Sequence, residues 1–401
     1  MKTKPERRGY LPRVWLVDAY RAGEQKQLRA LAASLGWPYQ VISLRYRKWE
    51  VQTNLFRGQD LHGVDRARSS PLSPPWPDLV LSAGMRNEPV CRWIKEQSGG
   101  HSKTVFIGRL WADPAHFDLV VTTPQYRVPA RPNVLKNDLP LHRVNRQALA
   151  LAAEQWAPRL QYLPRPYIAV NIGGTSGPYA FGRRAAQRLM RDASALVEAR
   201  GGSMLVTSSA RTPAAVMDDI VASQDRVPMH FYRWRPKDPD NPYQGFLALA
   251  DELIVTADSI AMLSEACATG RPLHMFDLGM GPFSMRWDMY YGREGKPPMT
   301  PTSPSDRDCE RSDLQLLTLL YRGLMRWGWK HLTRDISQVH RRLIESGLAQ
   351  WLSLESSLGR GGADAAEPDV GREQQSPDMR RALERIAALV DRSRVVQASF
   401  R

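Results

Sequence analysis

Cysteine is scarce in this 401-residue chain: there are three, Cys91, Cys267 and Cys309. They are odd in number, far apart, and form no CxxC pair. That excludes a disulfide framework and gives no zinc-binding spacing. A reducing compartment is the setting that suits such a chain. Long apolar runs are also missing. Nothing approaches the ~18 residues that a membrane-spanning helix needs. The N-terminus, MKTKPERRGYLPRVWLVDAY, carries charge but no apolar segment ahead of the first expected strand, so it does not read as a secretory signal. Neither GK[ST] nor GxGxxG occurs at the glycine-rich turns, which argues against a P-loop and against a dinucleotide fingerprint.

Negative charge is in short supply at one end. The net charge is +15. Residues 1–160 hold 25 Lys and Arg against 13 Asp and Glu, and the remainder holds 31 against 28. A field concentrated in this way suits an anionic substrate, an anionic membrane surface or nucleic acid, or serves only to solubilise the surface. Hydrophobic residues make up 42%, enough for substantial globular cores.

Strands alternate with helical patterns from the start. Val14–Asp18, Tyr39–Leu44, Asp78–Ser82, Lys103–Gly108 and Asp118–Thr122 read as strands, with helices over Glu24–Leu35, Glu88–Gln97 and about Gln147–Trp156. LPRP at 163–166 reads as a linker. A second set follows. Strands are expected at Tyr167–Ile172, Met204–Ser208, Met229–Tyr232, Glu252–Thr256 and Pro272–Asp277. Helices are expected at Gly182–Ala199, Thr212–Ser223, Phe246–Ala250 and Met262–Thr269. The pattern predicts an α/β chain of two Rossmann-like domains, 1–163 and 164–280, facing across a cleft, with ligands at the carboxyl ends of the strands. A helical region (281–354, with Leu314–Gln350 as its long helical stretch), a flexible linker (355–378) and an amphipathic helix (379–401) complete the expectation. That last helix has three candidate destinations: the body of the protein, a second chain or a membrane.

Chemistry concentrates in the loops that follow strands. In NIGGTSGPYAFG (171–182), Gly173 and Gly174 permit a tight turn and close approach to a ligand. Thr175 and Ser176 add hydroxyls beside a helix N-terminus, where anions are favoured. In VTSSARTP (206–213), Ser208 and Ser209 end a strand and Arg211 follows, a guanidinium suited to a diphosphate. In TADSIAMLSEACATGRPL (256–273), Asp258 and Ser259 open a helix that carries Ser264 and Glu265. Ser259 is placed to donate to a phosphate. Glu265 sits among small apolar residues, where a charge needs a partner, and a carboxylate is acceptor-only, which fits a ribose diol. Glycine turns and helix caps are the plain alternatives for these loops.

In the first half, DAYRAGEQ (18–25) joins a strand to a helix. Asp18 is a candidate general base or else a turn former. Gly23 allows close approach, and Glu24 suits the first turn of a helix. In SAGMRNEP (82–89), Arg86 and Asn87 are candidates to hold an anionic acceptor. LRYRKWEV (44–51) interleaves Arg45, Arg47 and Lys48 with Tyr46 and Trp49, a pattern for anionic lipid and more weakly for RNA. NDLP (137–140) shows no clear chemistry.

TADSIAMLSEACATGRPL resembles the donor-binding signature of GT-B glycosyltransferases. RAGEQKQ, PDLVLSAG, NIGGTSGPYAF and TADSIAMLSEACATGRP together resemble the mitochondrial-fission and putative-glycosyltransferase family, across about residues 12–280 and on to about 350. The resemblance implies a GT-B-like architecture in which the small-residue loop meets phosphate and the glutamate of the SE pair meets ribose. It also brings a second role, since plant relatives are organellar fission factors. An epimerase label carried by some relatives would need a GxGxxG in the first βα loop if NAD-dependent, and that motif is absent. Two functions follow as expectations. The first is a cytoplasmic, metal-independent glycosyltransferase without a cofactor, with a peripheral position on the inner face of the cytoplasmic membrane as one option. It takes a nucleotide sugar in the second domain and an anionic glycan or lipid acceptor in the first. The alternative is a non-catalytic, membrane-associated adaptor on the same fold. No nucleic-acid partner is expected, because no recognition module is present.

Overall fold

A computed structural model describes residues 11–47, 58–176, 179–222, 226–280, 284–286, 333–353 and 376–398. The chain divides into two compact units. Unit 1 comprises Met1–His142 and Pro377–Arg401, and unit 2 comprises Arg143–Ser376.

Unit 1 contains a six-stranded sheet formed by β1 (Val14–Val17), β2 (Tyr39–Ile42), β3 (Leu79–Ala83), β4 (Lys103–Ile107), β5 (Leu119–Thr122) and β6 (Val134–Lys136). The order is β2-β1-β3-β4-β5-β6, and every pairing is parallel. Successive residues of a strand point to opposite faces. Val14 and Leu16 accordingly enter one apolar cluster, while Trp15 and Val17 enter another. Both faces are covered, so the strands read as unbroken apolar runs rather than as alternations. Helices α1 (Ala22–Leu35) and α2 (Glu88–Gln97) supply Leu28 and Leu31 to the first cluster and Val90 and Ile94 to the second.

Unit 2 contains β7 (Tyr167–Asn171), β8 (Ser203–Thr207), β9 (Met229–Tyr232), β10 (Glu252–Thr256), β11 (Leu273–Phe276) and β12 (Gln350–Trp351). Read from β9, the order is β9-β8-β7-β10-β11-β12, again wholly parallel. Among its described residues the helices are α3 (Arg146–Leu160), α4 (Arg183–Arg200), α5 (Ala214–Val221), α6 (Tyr243–Leu249), α7 (Ile260–Cys267) and α8 (Ser337–Glu345). The α/β class with two parallel sheets is therefore as the sequence predicts.

Several details differ. The boundary falls at His142, not near 163. Helix α3 belongs to unit 2 because Trp156 packs edge-on against Phe246 of α6, with ring centroids 6.2 Å apart. LPRP is no linker. Ser203 Oγ donates to the Pro164 carbonyl, Ser203 N to that of Pro166, and Tyr167 Oη to that of Leu160. The short strands β6 and β12 were not anticipated. Helix α6 starts at Tyr243, three residues ahead of the expected Phe246, where the Asn241 side chain accepts from Tyr243 N at 3.0 Å. Of the expected helical region 281–354, only 284–286 and 333–353 are described, and 355–375 of the expected linker lies outside the described residues.

The C-terminal helix α9 (Pro377–Ala398) packs on unit 1. Met379, Ala382, Ile386 and Val390 are buried in the same cluster as Leu16, Leu28 and Leu31. Its first turn is held by NDLP: the backbone amides of Asp138 and Leu139 donate to the Asp378 carboxylate at 3.3 and 2.9 Å. NDLP thus has a structural task, and the destination of the amphipathic helix is the body of the protein. Among the described residues, no helix is long and apolar enough to cross a membrane.

Candidate functional site

A doubly wound sheet opens where its strand order reverses, and ligands settle at the carboxyl ends of the strands there. In unit 2 the reversal lies between β7 and β10, which are neighbours in the sheet. The loop with Gly173 and Gly174 follows β7, and the loop with Asp258 and Ser259 follows β10. The loop with Ser208, Ser209 and Arg211 follows the adjacent β8.

These three loops are bonded into one platform. Gly173 N donates to Thr256 Oγ1 at 2.7 Å, and Gly174 N donates to Asp258 Oδ2 at 3.0 Å. Ser209 Oγ and Thr212 Oγ1 both donate to the Gly173 carbonyl, at 2.6 and 2.5 Å. Arg211 forms an ion pair with Asp258 at 3.0 Å and reaches the Thr175 carbonyl at 3.5 Å. A Cβ on Gly174 would lie 2.0 Å from the Arg211 carbonyl oxygen, and one on Gly173 would lie 2.5 Å from Asp258 Oδ2. The close approach these glycines permit is therefore to protein groups, and both amides are already bonded. That corrects the expectation of glycines opening the backbone to a ligand.

Asp258 is buried beneath the platform, with its side chain fully covered. Burial raises its carboxyl above the ordinary range, and the Arg211 guanidinium opposes the rise. Its Oδ1 is buried without a hydrogen-bond partner. The residue ties loops together and is not exposed to a ligand. Ser208 accepts from Trp234 N at 2.8 Å, and the backbone of Ser176 pairs with that of Tyr179. Thr175 Oγ1 accepts from Phe181 N at 3.2 Å. Ser264 is buried within α7.

Two side chains of α7 and its N-cap remain available, and the Arg211 guanidinium, though paired with Asp258, is 42% exposed. Ser259 caps α7 without a side-chain hydrogen bond to the helix, and the first-turn amides of a helix have no intrahelical acceptors. Glu265 lies on the second turn of α7 and is 8% exposed. Its Oε2 accepts from the Tyr243 hydroxyl at 2.6 Å, the partner that a charge on so apolar a helix requires. Its other oxygen has no hydrogen-bond partner among the described residues. Tyr243 is half-buried, and burial of its hydroxyl followed by the Glu265 charge pushes that hydroxyl well above the usual phenol range. It therefore remains a donor.

In unit 1 the strand order reverses between β1 and β3. Asp18 follows β1, and its carboxylate accepts from Ala19 N, Gln25 and Arg29, the last as a 3.0 Å ion pair. Asn87 is buried and committed internally. Its amide donates to the Asp18 and Ala83 carbonyls, both at 3.0 Å, and its Oδ1 accepts from Tyr46 Oη at 2.6 Å. It braces the two strand ends instead of facing an acceptor. Tyr46 is thereby an internal group, while Lys48 and Trp49 of the basic, aromatic stretch lie outside the described residues. Gly84, at φ +86°, is the glycine of close approach, since a Cβ there would lie 2.8 Å from Glu24 Oε2. Gly23 has open space around it. Arg86 is half-buried with its guanidinium 4.4 Å from the centre of the exposed Tyr20 ring, and its Nε is buried without a partner.

The residues that sequence reasoning missed are Thr256, Thr212 and Tyr243. Thr256 and Thr212 stood inside quoted motifs as hydroxyls that were given no role in the site. Tyr243 carried no signal, since it lay ahead of the expected helix start.

Known proteins place the chain. A mitochondrial fission protein ELM1 from Arabidopsis thaliana is 29% identical over 241 residues, covering 54% of this chain and 55% of the relative. The match thus spans about half the length of that plant protein. An uncharacterized protein, RP120, from Rickettsia prowazekii is 25% identical over 297 residues, covering 66% of this chain and 82% of the relative. Among solved structures, Acinetobacter baumannii MurG superposes with a TM-score of 0.39 at 12% identity, covering 94% of this chain and 99% of that one. A UDP-GlcNAc 2-epimerase from Methanocaldococcus jannaschii, solved with UDP-GlcNAc and UDP, gives 0.40 at 10% identity, covering 84% and 99%. The family described as mitochondrial fission ELM1 matches residues 22–289, more than half of the chain, and the chain belongs to that family.

Proposed function

We propose that this chain is a metal-independent glycosyltransferase of the GT-B type. In this reading a nucleotide-sugar donor sits at the strand ends of unit 2, and an anionic acceptor, lipid-linked or part of an envelope glycan, sits on basic unit 1. One observation carries the reading: beside the bonded platform at the strand-order reversal of unit 2, Glu265 is held with an oxygen that takes no hydrogen bond among the described residues. A carboxylate so placed is an acceptor for the two hydroxyls of a ribose. Ser259, the first turn of α7 and Arg211 supply hydroxyl, amide and guanidinium donors suited to a diphosphate.

Transfer breaks the bond between the anomeric carbon and the diphosphate oxygen and forms one to the acceptor oxygen. Charge accumulates on the leaving diphosphate, where Arg211 and the α7 amides would offset it. The acceptor hydroxyl loses a proton, and Asp18 is the carboxylate we assign to it. Its ion pair with Arg29 has to loosen for that step. Arg86, with no ion pair among the described residues, is the counter-charge for an anionic acceptor.

The name of the Arabidopsis relative favours a second reading, a membrane-associated fission adaptor on the same fold. The apolar residues of α9 that such an adaptor would insert into lipid are core residues of unit 1, which weighs against it. Titration calorimetry with UDP, GDP, ADP and CMP separates the two. We expect one nucleotide to bind and Glu265→Ala to weaken it about tenfold or more, the worth of a hydrogen bond to a charged group. Absence of binding to the wild type, or equal binding by Glu265→Ala, overturns the donor assignment. Salt-sensitive sedimentation with anionic liposomes in that case supports the adaptor.

A further inference from the structure

Glu265 is not left to find its own orientation. Its Oε2 accepts the Tyr243 hydroxyl at 2.6 Å, the short distance of a charge-assisted O–H···O⁻ bond. Tyr243 is itself fixed. Just ahead of α6, the Asn241 side chain accepts from Tyr243 N at 3.0 Å. Gly245, two residues along and so on the opposite side of the helix, lies so close to Trp156 of α3 that a Cβ there would fall 2.3 Å from the indole. The phenol thus enters from a helix clamped on its other side. With one lone pair on Oε2 taken, Glu265 keeps a defined set of acceptor positions, mostly on Oε1.

The terminal torsion of a glutamate is broad and roughly two-fold, so a carboxylate without such a bond samples many orientations. Fixing it in advance removes an ordering cost from binding. The gain falls on ligands that use the whole acceptor set, meaning two adjacent hydroxyls. A ligand with a single hydroxyl gains less.

Resting on the donor reading above, we propose that Tyr243 is a positioning residue. It holds Glu265 in the orientation that accepts from both hydroxyls of a ribose, so that unit 2 selects ribonucleotides over 2′-deoxyribonucleotides. A purely structural role, stapling α6 to α7, would change stability and leave this selectivity alone.

The test measures the affinity ratio of each ribonucleoside diphosphate (UDP, GDP, ADP, CDP) to its 2′-deoxy counterpart. Wild type is expected to prefer ribose by about tenfold or more, the worth of one hydrogen bond to a charged group. Tyr243→Phe is expected to cut that preference to within about threefold, mainly by weakening the ribonucleotide, and Glu265→Gln to do the same. Placing 4-aminophenylalanine at 243 restores an N–H donor and should restore the preference. 4-Methylphenylalanine, which fills the space without donating, should not, and this pair decides the matter should Tyr243→Phe fail to fold. Loss of the preference in Glu265→Gln with full retention in both donor-less variants overturns the proposal and leaves the donor reading intact. Failure of every diphosphate to bind wild type overturns both.

Discussion

The carbonyl of Ala257, one residue ahead of Asp258, is held by a histidine whose charge state can be forecast. His340 on α8 is fully buried, and its Nε2–H donates to Ala257 O at 2.7 Å. A carbonyl only accepts, so Nε2 carries the proton and Nδ1 bears the lone pair. Nδ1 is buried without a partner, and Trp351 packs edge-on against the ring, with centroids 5.3 Å apart. A second proton on this ring would find no acceptor among the described residues. Burial therefore pushes the His340 pKa down to about 4, against partial opposition from the Ala257 carbonyl, Asp277 and Asp335. The unfolded chain takes the proton near 6.5. Stability from the neutral ring is complete above pH ~6.5 and is lost as pH falls towards about 4, because the unfolded state binds the proton first. Each pH unit in that window is worth about 1.36 kcal/mol, so close to 2.5 kcal/mol is gone by pH ~4.5. For a unit the size of Arg143–Ser376 that amounts to about 5–10 °C in Tm. The assay is the Tm of the unit 2 transition from pH 7.5 to 4.5 at constant ionic strength, for wild type and His340→Gln. Glutamine keeps an N–H donor without the titration. Other buried acids titrate in both proteins and cancel in the difference. Parallel Tm profiles for the two proteins would refute the assignment of a buried neutral imidazole.

Two further outcomes concern packing. Gly174→Ala sets a Cβ 2.0 Å from a backbone oxygen that no rotamer can move aside; it should destabilise unit 2 by about 2–3 kcal/mol in a denaturant melt and weaken nucleotide binding along with it. Ile386→Ala removes a fully buried side chain from the α9 face and should cost unit 1 about 2–4 kcal/mol, with hydrogen exchange rising in α9 and α1 together; exchange confined to α9 would mean that the helix is not part of that core.

Much of the fold was legible because the signals are local. Runs such as VWLV, YIAVN and ELIVT are apolar throughout, as strands buried on both faces must be, and the helical patterns between them imply parallel crossovers. The hydroxyl-rich loops also stood out, since Thr, Ser and Gly gather directly after strands. Their partners did not. Gly173 bonds Thr256 across 83 residues, and Gly174 bonds Asp258 across 84. Those contacts exist because β7 lies beside β10, a fact of strand order that no stretch of sequence contains. The same limit explains Asn87, which read as an acceptor contact and proved an internal brace, and α9, whose apolar face fitted three destinations, with packing on the body the plainest of them.

By itself, then, the sequence determined the α/β class, the two parallel sets of strands, the family and the loops worth watching, because periodicity, turn chemistry and motif spacing are properties of neighbouring residues. Tertiary structure alone decided which polar groups of those loops are spent on one another and which stay available. It buried Asp258, bonded both glycine amides, and brought Tyr243 against Glu265. The physical reason is that a hydrogen-bonding group has a fixed number of partners to take, and only the packing of distant elements determines who takes them first.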